Sequence, residues 1–396
     1  MTMIHNVIFD PIPFKGGSKI ATSEALRQCD RQQVTFTVLT VDRDFWQNSM
    51  FANQHRVNVL PLIALPWVSR QYSGLFYWLN QFYFALALLC YCIRLPKVDH
   101  VIGASGPGID MAIYLAQLVH RFSIVQLIHG NVATSRSIGW CLTRAQQIFY
   151  LPSAHQSMVN ALQCYIRHHT NIEDVDAVTL FHIKSNHFHT FVNGLAKENW
   201  PSKTMAQIPT CFWCASTLKW KGLDLFVDTL RQLHTTHAVK SHICFIQPKE
   251  IMLEVSSAPI ALRHTKWYQD PNNLDDIRRG CNIFVSTSTK EPFGLSILES
   301  LAAGMCVIIP QDGSYWDLQL TDKVNCIKYK AGDPFALRQA ILSVYTDQHL
   351  LQATQQNGIQ VAQRYRAHKT YSQIVAGVSG QLVDNELAES AWLDYE

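Results

Sequence analysis

Along the chain, short runs dense in Val, Ile, Phe and Leu alternate with longer stretches in which apolar residues return every three or four positions. The runs HNVIFD, VTFTVLT, DHVIGASG, FSIVQLIHG and QQIFYLPS read as strands, almost continuously apolar as strands covered on both faces are. Between them, the segments 20–30, 76–93, 110–120 and 153–166 carry helical periodicity. Strand and helix in alternation predict parallel βαβ units, hence a doubly wound sheet over residues 1–192. After the polar, proline-marked stretch GLAKENWPSKTMAQIP the pattern restarts with TCFWCAS, SHICFIQP, HTKWYQ, CNIFVSTS and MCVIIP, separated by helical segments at 222–234, 273–280, 296–303 and 334–346. The expected organisation is a first domain at 1–192, a linker at 193–208, a second α/β domain at 209–365, and a helical tail at 366–396, acidic at its end, packing back on the first domain. Two open parallel sheets joined by a linker would face a central cleft, with ligands beyond the carboxyl ends of the strands.

Composition narrows the classes. With 48% hydrophobic and 16% charged residues in 396, the chain is neither disordered nor of low complexity. Thirty-three Lys+Arg against 30 Asp+Glu are too balanced for a dedicated nucleic-acid binder. Residues 1–190 hold 14 basic and 10 acidic residues and the remainder 19 and 20, a bias that suits an anionic ligand or acidic membrane surface and equally a set of solvated charges. Eleven cysteines scattered through apolar runs indicate a reduced, cytosolic interior. The pair Cys211 and Cys214 lies in a predicted strand with no second ligand pair, so zinc is not expected. The start MTMIHNVIFDPIPF lacks the basic and apolar stretches of a secretory signal, so a cytoplasmic protein is expected. Residues 74–95 are nearly apolar enough to span a membrane but are interrupted by Asn80, Gln81 and Arg94. A buried core helix is the expectation there, and an in-plane contact with the inner face of the plasma membrane through its aromatic residues is the alternative.

The sharpest candidate chemistry is the run from Glu291 to Glu299, EPFGLSILE, a loop entering a helix. Gly294 allows close backbone approach, and the amides of Phe293, Gly294 and Leu295 would point out of the helix N-terminus, a place for phosphate. Glu299, one turn into the helix, could accept hydrogen bonds from a ribose diol, and Glu291 could bind hydroxyls of a second sugar. Two glutamates eight apart are, as a bare pattern, equally a capped surface helix.

The whole string VSTSTKEPFGLSILESLAAGMCVIIP resembles the donor-site signature of the retaining nucleotide-sugar glycosyltransferases of family 4, the group 1 class with the two-domain GT-B fold. KWKGLDLFVDTL is similar to that family's Lys-Gly segment, which implies that Lys221 reaches the donor diphosphate. The family's arginine five residues earlier is Ser216 here, and Lys219 could replace it only in part, since an ammonium is not a guanidinium fork. PIPFKGGSKIATSEAL resembles the family's glycine loop, implying that Gly16 and Gly17 pass close to diphosphate and acceptor. VQLIHGNV places His129 where the family's histidine contacts the transferred sugar, and a satisfied core histidine is the bland alternative. Asn193 and Gly194 match a turn entering the linker. Where the family often shows a second glycine pair this chain has Gly313-Ser314, and residues 165–188 match nothing and read as a local insertion.

The resemblance implies α/β architecture of two Rossmann-like parallel-sheet domains and transfer of a hexosyl group, with retained configuration, from a nucleotide diphosphate sugar to a glycan or lipid-linked glycan, in a setting such as bacterial capsule or lipopolysaccharide synthesis. His129, Lys221 and Glu291 would carry the catalytic roles. No Asp-x-Asp motif accompanies the donor site, so no metal and no cofactor are expected, nor any nucleic-acid partner. A sugar-nucleotide epimerase of similar fold and a non-catalytic nucleotide-sugar-binding subunit remain as rivals.

Overall fold

The structure, a computed structural model, describes residues 3–14, 16–64, 71, 73–95, 97–169, 174–248 and 253–381. The chain divides into two compact units, one comprising residues 1–192 and 370–396 and the other residues 193–369. Among the described residues the first unit holds a seven-stranded sheet: β1 (Ile4–Asp10), β2 (Val34–Thr40), β3 (Asn58–Pro61), β4 (His100–Gly103), β5 (Ser123–Ile128), β6 (Gln147–Tyr150) and β7 (Phe188–Thr190), in the order β3-β2-β1-β4-β5-β6-β7. The second holds β8 (Thr210–Ser216), β9 (Lys240–Ile246), β10 (Thr265–Gln269), β11 (Ile283–Val285), β12 (Cys306–Gln311) and β13 (Ile327–Lys330), in the order β10-β9-β8-β11-β12-β13. Every pairing in both sheets is parallel, as expected for the doubly wound class. Strand order reverses between β1 and β4 in the first sheet and between β8 and β11 in the second, and such reversals open a crevice at the carboxyl edge.

In the first unit, alternation sorts the strand residues onto two faces. Val7, Phe9, Leu39 and Val101 pack with the helices Gly74–Arg94, Met111–Gln117, Arg136–Arg144 and His155–His169. Phe36, on the other side, meets Phe51 and His55 of the Met50–His55 helix. The C-terminal helix Ser372–Val378 packs on the Gly17–Arg27 helix, and Val378 O accepts from Asn6 Nδ2 at 3.1 Å. Residues 165–188, read as a local insertion, carry regular structure on both sides of residues 170–173, which lie outside the described residues. The described ones finish the His155–His169 helix, supply the Val175–Ile183 helix packed against it, and lead into edge strand β7.

The Gly74–Arg94 helix departs from the buried core helix expected of it. Its polar residues Asn80 and Gln81 are buried together with Phe84, Ala85, Leu88 and Cys92, while Leu75, Leu79, Phe82, Leu86 and Ile93 are exposed. Gln81 Oε1 accepts from Ala112 N at 3.0 Å, and Tyr77 OH donates to Gly108 O at 2.6 Å. These two contacts, not apolar burial alone, seat the helix.

In the second unit, Cys211, Trp213, Ile243, Ile283 and Ile308 form one core with the Leu223–Leu233 helix, whose Leu223, Phe226, Val227, Leu230 and Leu233 recur at helical spacing. Asp333 caps the Pro334–Thr346 helix by accepting from Phe335 N and Ala336 N, with Pro334 preset at the first helical position. Residues 193–208 belong to this unit, strapped down by Leu195 N to Tyr365 O at 2.8 Å, Thr204 N to Ala303 O at 2.8 Å and Met205 N to Arg279 O at 2.9 Å.

Candidate functional site

The order reversal in the second sheet sets two loops side by side, one after β8 and one after β11. They are stitched together. Thr287 Oγ1 donates to Lys221 O at 3.0 Å and accepts from Trp213 Nε1 at 3.0 Å, and Thr289 N donates to Trp220 O at 2.8 Å. Gly222 sits at this crossing with φ of +72°, and a Cβ there would lie 2.2 Å from Thr287 O. Gly222→Ala therefore combines a left-handed backbone with a clash against another loop. It is expected to cost about 2 kcal/mol or more and to displace Lys221, read as a lowered Tm together with lost activity.

The stitching brings Lys221 to Glu291: Nζ and Oε2 are 2.5 Å apart, both side chains largely buried, with the ammonium 4.0 Å from the Trp220 ring centroid. Next to Glu291 begins the Leu295–Ala302 helix, whose N-cap is Gly294 at φ of +81° with no side-chain cap. Among the described residues the amides of Phe293, Gly294 and Leu295 find no acceptor. An ammonium beside an uncapped helix start is a site for an anion of phosphate type.

Glu299 lies one turn further along the same helix, and its Oε2 accepts from Arg278 Nη2 at 2.5 Å. Arg278 is buried, its Nη1 3.2 Å from Asp275 Oδ1. One carboxylate oxygen of Glu299 is thus committed, which fixes the orientation of the other. Both charges act on Cys214 at the end of β8, where burial first and the Glu299 carboxylate next push the thiol up to about 12. That thiol is protonated at neutral pH and is no nucleophile.

Two further candidates behave differently from their neighbours. The Lys219 ammonium is turned to Asp224 at 2.8 Å on the open surface, with Ser256 Oγ on the same carboxylate oxygen, and is not gathered with Lys221 and Glu291. The Phe293 ring is buried among Tyr315, Trp316 and Tyr365, so its side chain anchors the loop and only its amide is available. Asp312, which the sequence did not single out, accepts from Lys290 N at 2.7 Å and steadies the loop from its other end. A concavity of about 640 Å3 opens at the opposite, amino-terminal edge of this sheet, lined by Thr210, Lys240 and Thr265, and none of the site residues lines it.

In the first unit the expected residues collect at the carboxyl edge around β1, β4 and β5. Gly16 is the N-cap of the Gly17–Arg27 helix with no side-chain cap, and a Cβ at Gly17 would meet nothing within 4 Å. The first turn is pinned by buried Lys19, whose Nζ lies 2.9 Å from Asp10 Oδ2, 2.9 Å from Asp42 Oδ2 and 2.8 Å from Ile12 O. Asp10 Oδ2 also accepts from Trp46 Nε1 at 2.7 Å and Thr40 Oγ1 at 2.9 Å, so the buried charges are paired and bonded.

His129 follows β5 directly, its Nε2 3.0 Å from Thr22 Oγ1, its ring edge-on to Phe191, and its Nδ1 buried without a partner among the described residues. Burial lowers its pKa to about 4, so the imidazole is neutral at pH 7. The unfolded chain then takes up this proton near pH 6.5 and the folded one only near 4, and stability falls as pH drops through that window. The effect is at most about 3 kcal/mol, and His129→Gln should remove it, seen as a flatter difference between denaturation curves at pH 7.5 and 4.5.

Among the described residues no group of three or more His, Cys, Asp or Glu is placed to hold a metal ion. Within the second unit the structure unites Lys221, Glu291, Gly294, Leu295 and Glu299. Gly16, Gly17 and His129 lie in the first unit.

Residues 209–361 match the family model for glycosyl transferases group 1. No curated protein sequence matches the chain. Among solved structures, HepE of Anabaena in complex with UDP-glucose superposes with a TM-score of 0.69 at 15% identity, covering 95% of this chain and all of that one. Sucrose-phosphate synthase of Thermosynechococcus elongatus superposes at 0.68 with 13% identity over 95% and 98% of the two chains. The lipopolysaccharide outer core galactosyltransferase WaaB, in its apo form, gives 0.60 at 12% identity over 96% of this chain and 100% of the other. At such identities these likenesses concern the fold. Two parallel-sheet units of this kind, superposing on these structures, give the chain the GT-B fold, and its second unit carries a segment, residues 209–361, that matches the glycosyl transferases group 1 model.

Proposed function

We propose that the chain is a retaining hexosyltransferase of the family 4 type, which moves a sugar from a nucleotide diphosphate donor to a hydroxyl of a glycan or lipid-linked glycan. The observation that carries this reading is the Lys221–Glu291 pair beside the uncapped start of the Leu295–Ala302 helix, at the order reversal of the second sheet. An ammonium has three N–H donors and Glu291 takes one, so the rest can meet diphosphate oxygens. Glu291 then holds a sugar hydroxyl and the free oxygen of Glu299 a ribose hydroxyl.

In the transfer, the bond from the anomeric carbon to the phosphate oxygen breaks with its electron pair on the diphosphate. The acceptor oxygen bonds to the same face of that carbon, and its proton passes to the departing phosphate oxygen. Charge on the leaving group grows in the transition state, where Lys221 and the helix amides act on it. These cationic and amide donors stand in for a metal ion, so saturating EDTA is expected to leave initial rates unchanged within about twofold, and loss of activity restored by magnesium would refute that.

The acceptor is assigned to the first unit, and the setting to polysaccharide synthesis in the bacterial cytoplasm. WaaB acts on lipopolysaccharide and HepE was crystallised with UDP-glucose, which makes UDP-glucose the first donor to try. The test is incubation of the full chain with UDP-sugars and glycan acceptors, followed by NMR of the product. A new linkage with the donor's anomeric configuration is expected. An inverted linkage, an epimerised nucleotide sugar without acceptor, or binding with neither hydrolysis nor transfer would each overturn the reading.

A further inference from the structure

The Gly74–Arg94 helix carries two apolar faces, and only one is used by the fold. On the outer side Leu75, Leu79, Phe82, Leu86 and Ile93 form a single stripe at spacings of three, four and seven residues, with Trp78 beside it. Leu75 is 72% exposed and Ile93 73%. The adjoining Met111–Gln117 helix, aligned with it through the Tyr77–Gly108 and Gln81–Ala112 contacts, runs into Leu118 and Val119, which are exposed as well. A row of large apolar side chains along a whole 21-residue helix exceeds what a freely soluble surface shows.

We propose that this face is a docking surface for an anionic lipid membrane, with the helix lying in the plane of the interface. Charge singles out this occupant. The helix carries no Asp or Glu and one cation, Arg94, exposed at its end, and no acidic residue occurs in the sequence from residue 45 to residue 98. Such a surface attracts acidic headgroups, while its Leu, Phe and Trp side chains enter the acyl boundary. A second copy of the chain is a poorer fit, because pairing helices set their register with charges flanking the apolar stripe, and none precedes Arg94 on this helix. The Ser372–Val378 helix packs on Gly17–Arg27 and not among the helices that share the Gly74–Arg94 core, so the last described residues lie away from this face. The buried Asn80, Gln81 and Phe84 keep the helix within its own unit, so it lies on the membrane and does not cross it.

The test is flotation of the full chain with phosphatidylglycerol-containing vesicles and with vesicles of phosphatidylcholine alone, a readout independent of any transferase activity. The chain is expected to float with the anionic vesicles, and the combined variant Leu79→Ser, Phe82→Ser, Leu86→Ser to lose at least about tenfold of that binding with its Tm unchanged. Should the triple variant fail to fold, Arg94→Glu alone is expected to lower binding to the anionic vesicles by about tenfold. Wild-type chain that stays with the soluble fraction overturns the proposal. So does undiminished binding by a folded triple variant, or a lipid-free dimer that the triple variant converts to monomer with no vesicle binding by either.

Discussion

Lys221→Ala is expected to lower kcat by about 10²- to 10³-fold, equivalent to about 3 to 4 kcal/mol, while donor KM moves by less than about tenfold. The ammonium is held by Glu291 and by the face of Trp220 before any donor arrives, so it is positioned in advance for charge that develops only as the diphosphate leaves. Lys219→Ala supplies the contrast. That ammonium is paired with Asp224 in solvent, and steady-state rates should change by less than about threefold. Equal losses from the two lysines would mean that the geometric distinction between them has no catalytic meaning.

Glu299 answers differently to two replacements. In Glu299→Ala the buried Arg278 loses its closest carboxylate and keeps only the half-exposed Asp275 at 3.2 Å, a weakening of a buried pair that costs about 3 kcal/mol. For a unit of this size that lowers Tm by roughly 6 to 12 °C, and the kinetic defect then mixes folding with binding. Glu299→Gln keeps an acceptor for Arg278, so most of the Tm should survive. A neutral amide is nonetheless a weaker acceptor for a ribose hydroxyl, and donor KM is expected to rise by about tenfold. The diagnostic is a 2′-deoxyribose donor analogue: wild type should discriminate against it and Glu299→Gln should discriminate less. Unaltered discrimination would remove Glu299 from the ribose site and leave it as the partner of Arg278.

What was legible in the sequence is what is contiguous in it. The long strands β1, β2, β8 and β9, each of seven residues, carry enough apolar positions to declare themselves, and the loop-helix run from Glu291 to Glu299 folds as one local piece. Edge strands β3, β7 and β13 are only partly buried and lack the apolar run that announced the equally short β4, β6 and β11, so they were not anticipated. The two lysines of KWK could not be told apart from spacing. They occupy a 3₁₀ turn, where residues two apart face different directions, and only tertiary stitching through Thr287 shows which one meets Glu291. Arg278 and Arg279 are likewise adjacent in sequence, yet Arg278 is buried against Glu299 while Arg279 stands half-exposed beside Asp276. The Gly74–Arg94 helix shows the same limit, since Gln81 turns inward to serve the Ala112 amide, a partner 31 residues away.

The central claim is that the second unit grips a diphosphate with Lys221 and the helix amides in place of a metal ion. The direct measurement is the thermal shift of the full chain with a panel of nucleoside diphosphate sugars in the presence of a chelator, wild type beside Lys221→Ala. At least one donor should raise the Tm of the wild type, and that rise should shrink in the variant. A panel without any shift, or a shift that needs added magnesium or is indifferent to Lys221, would contradict it.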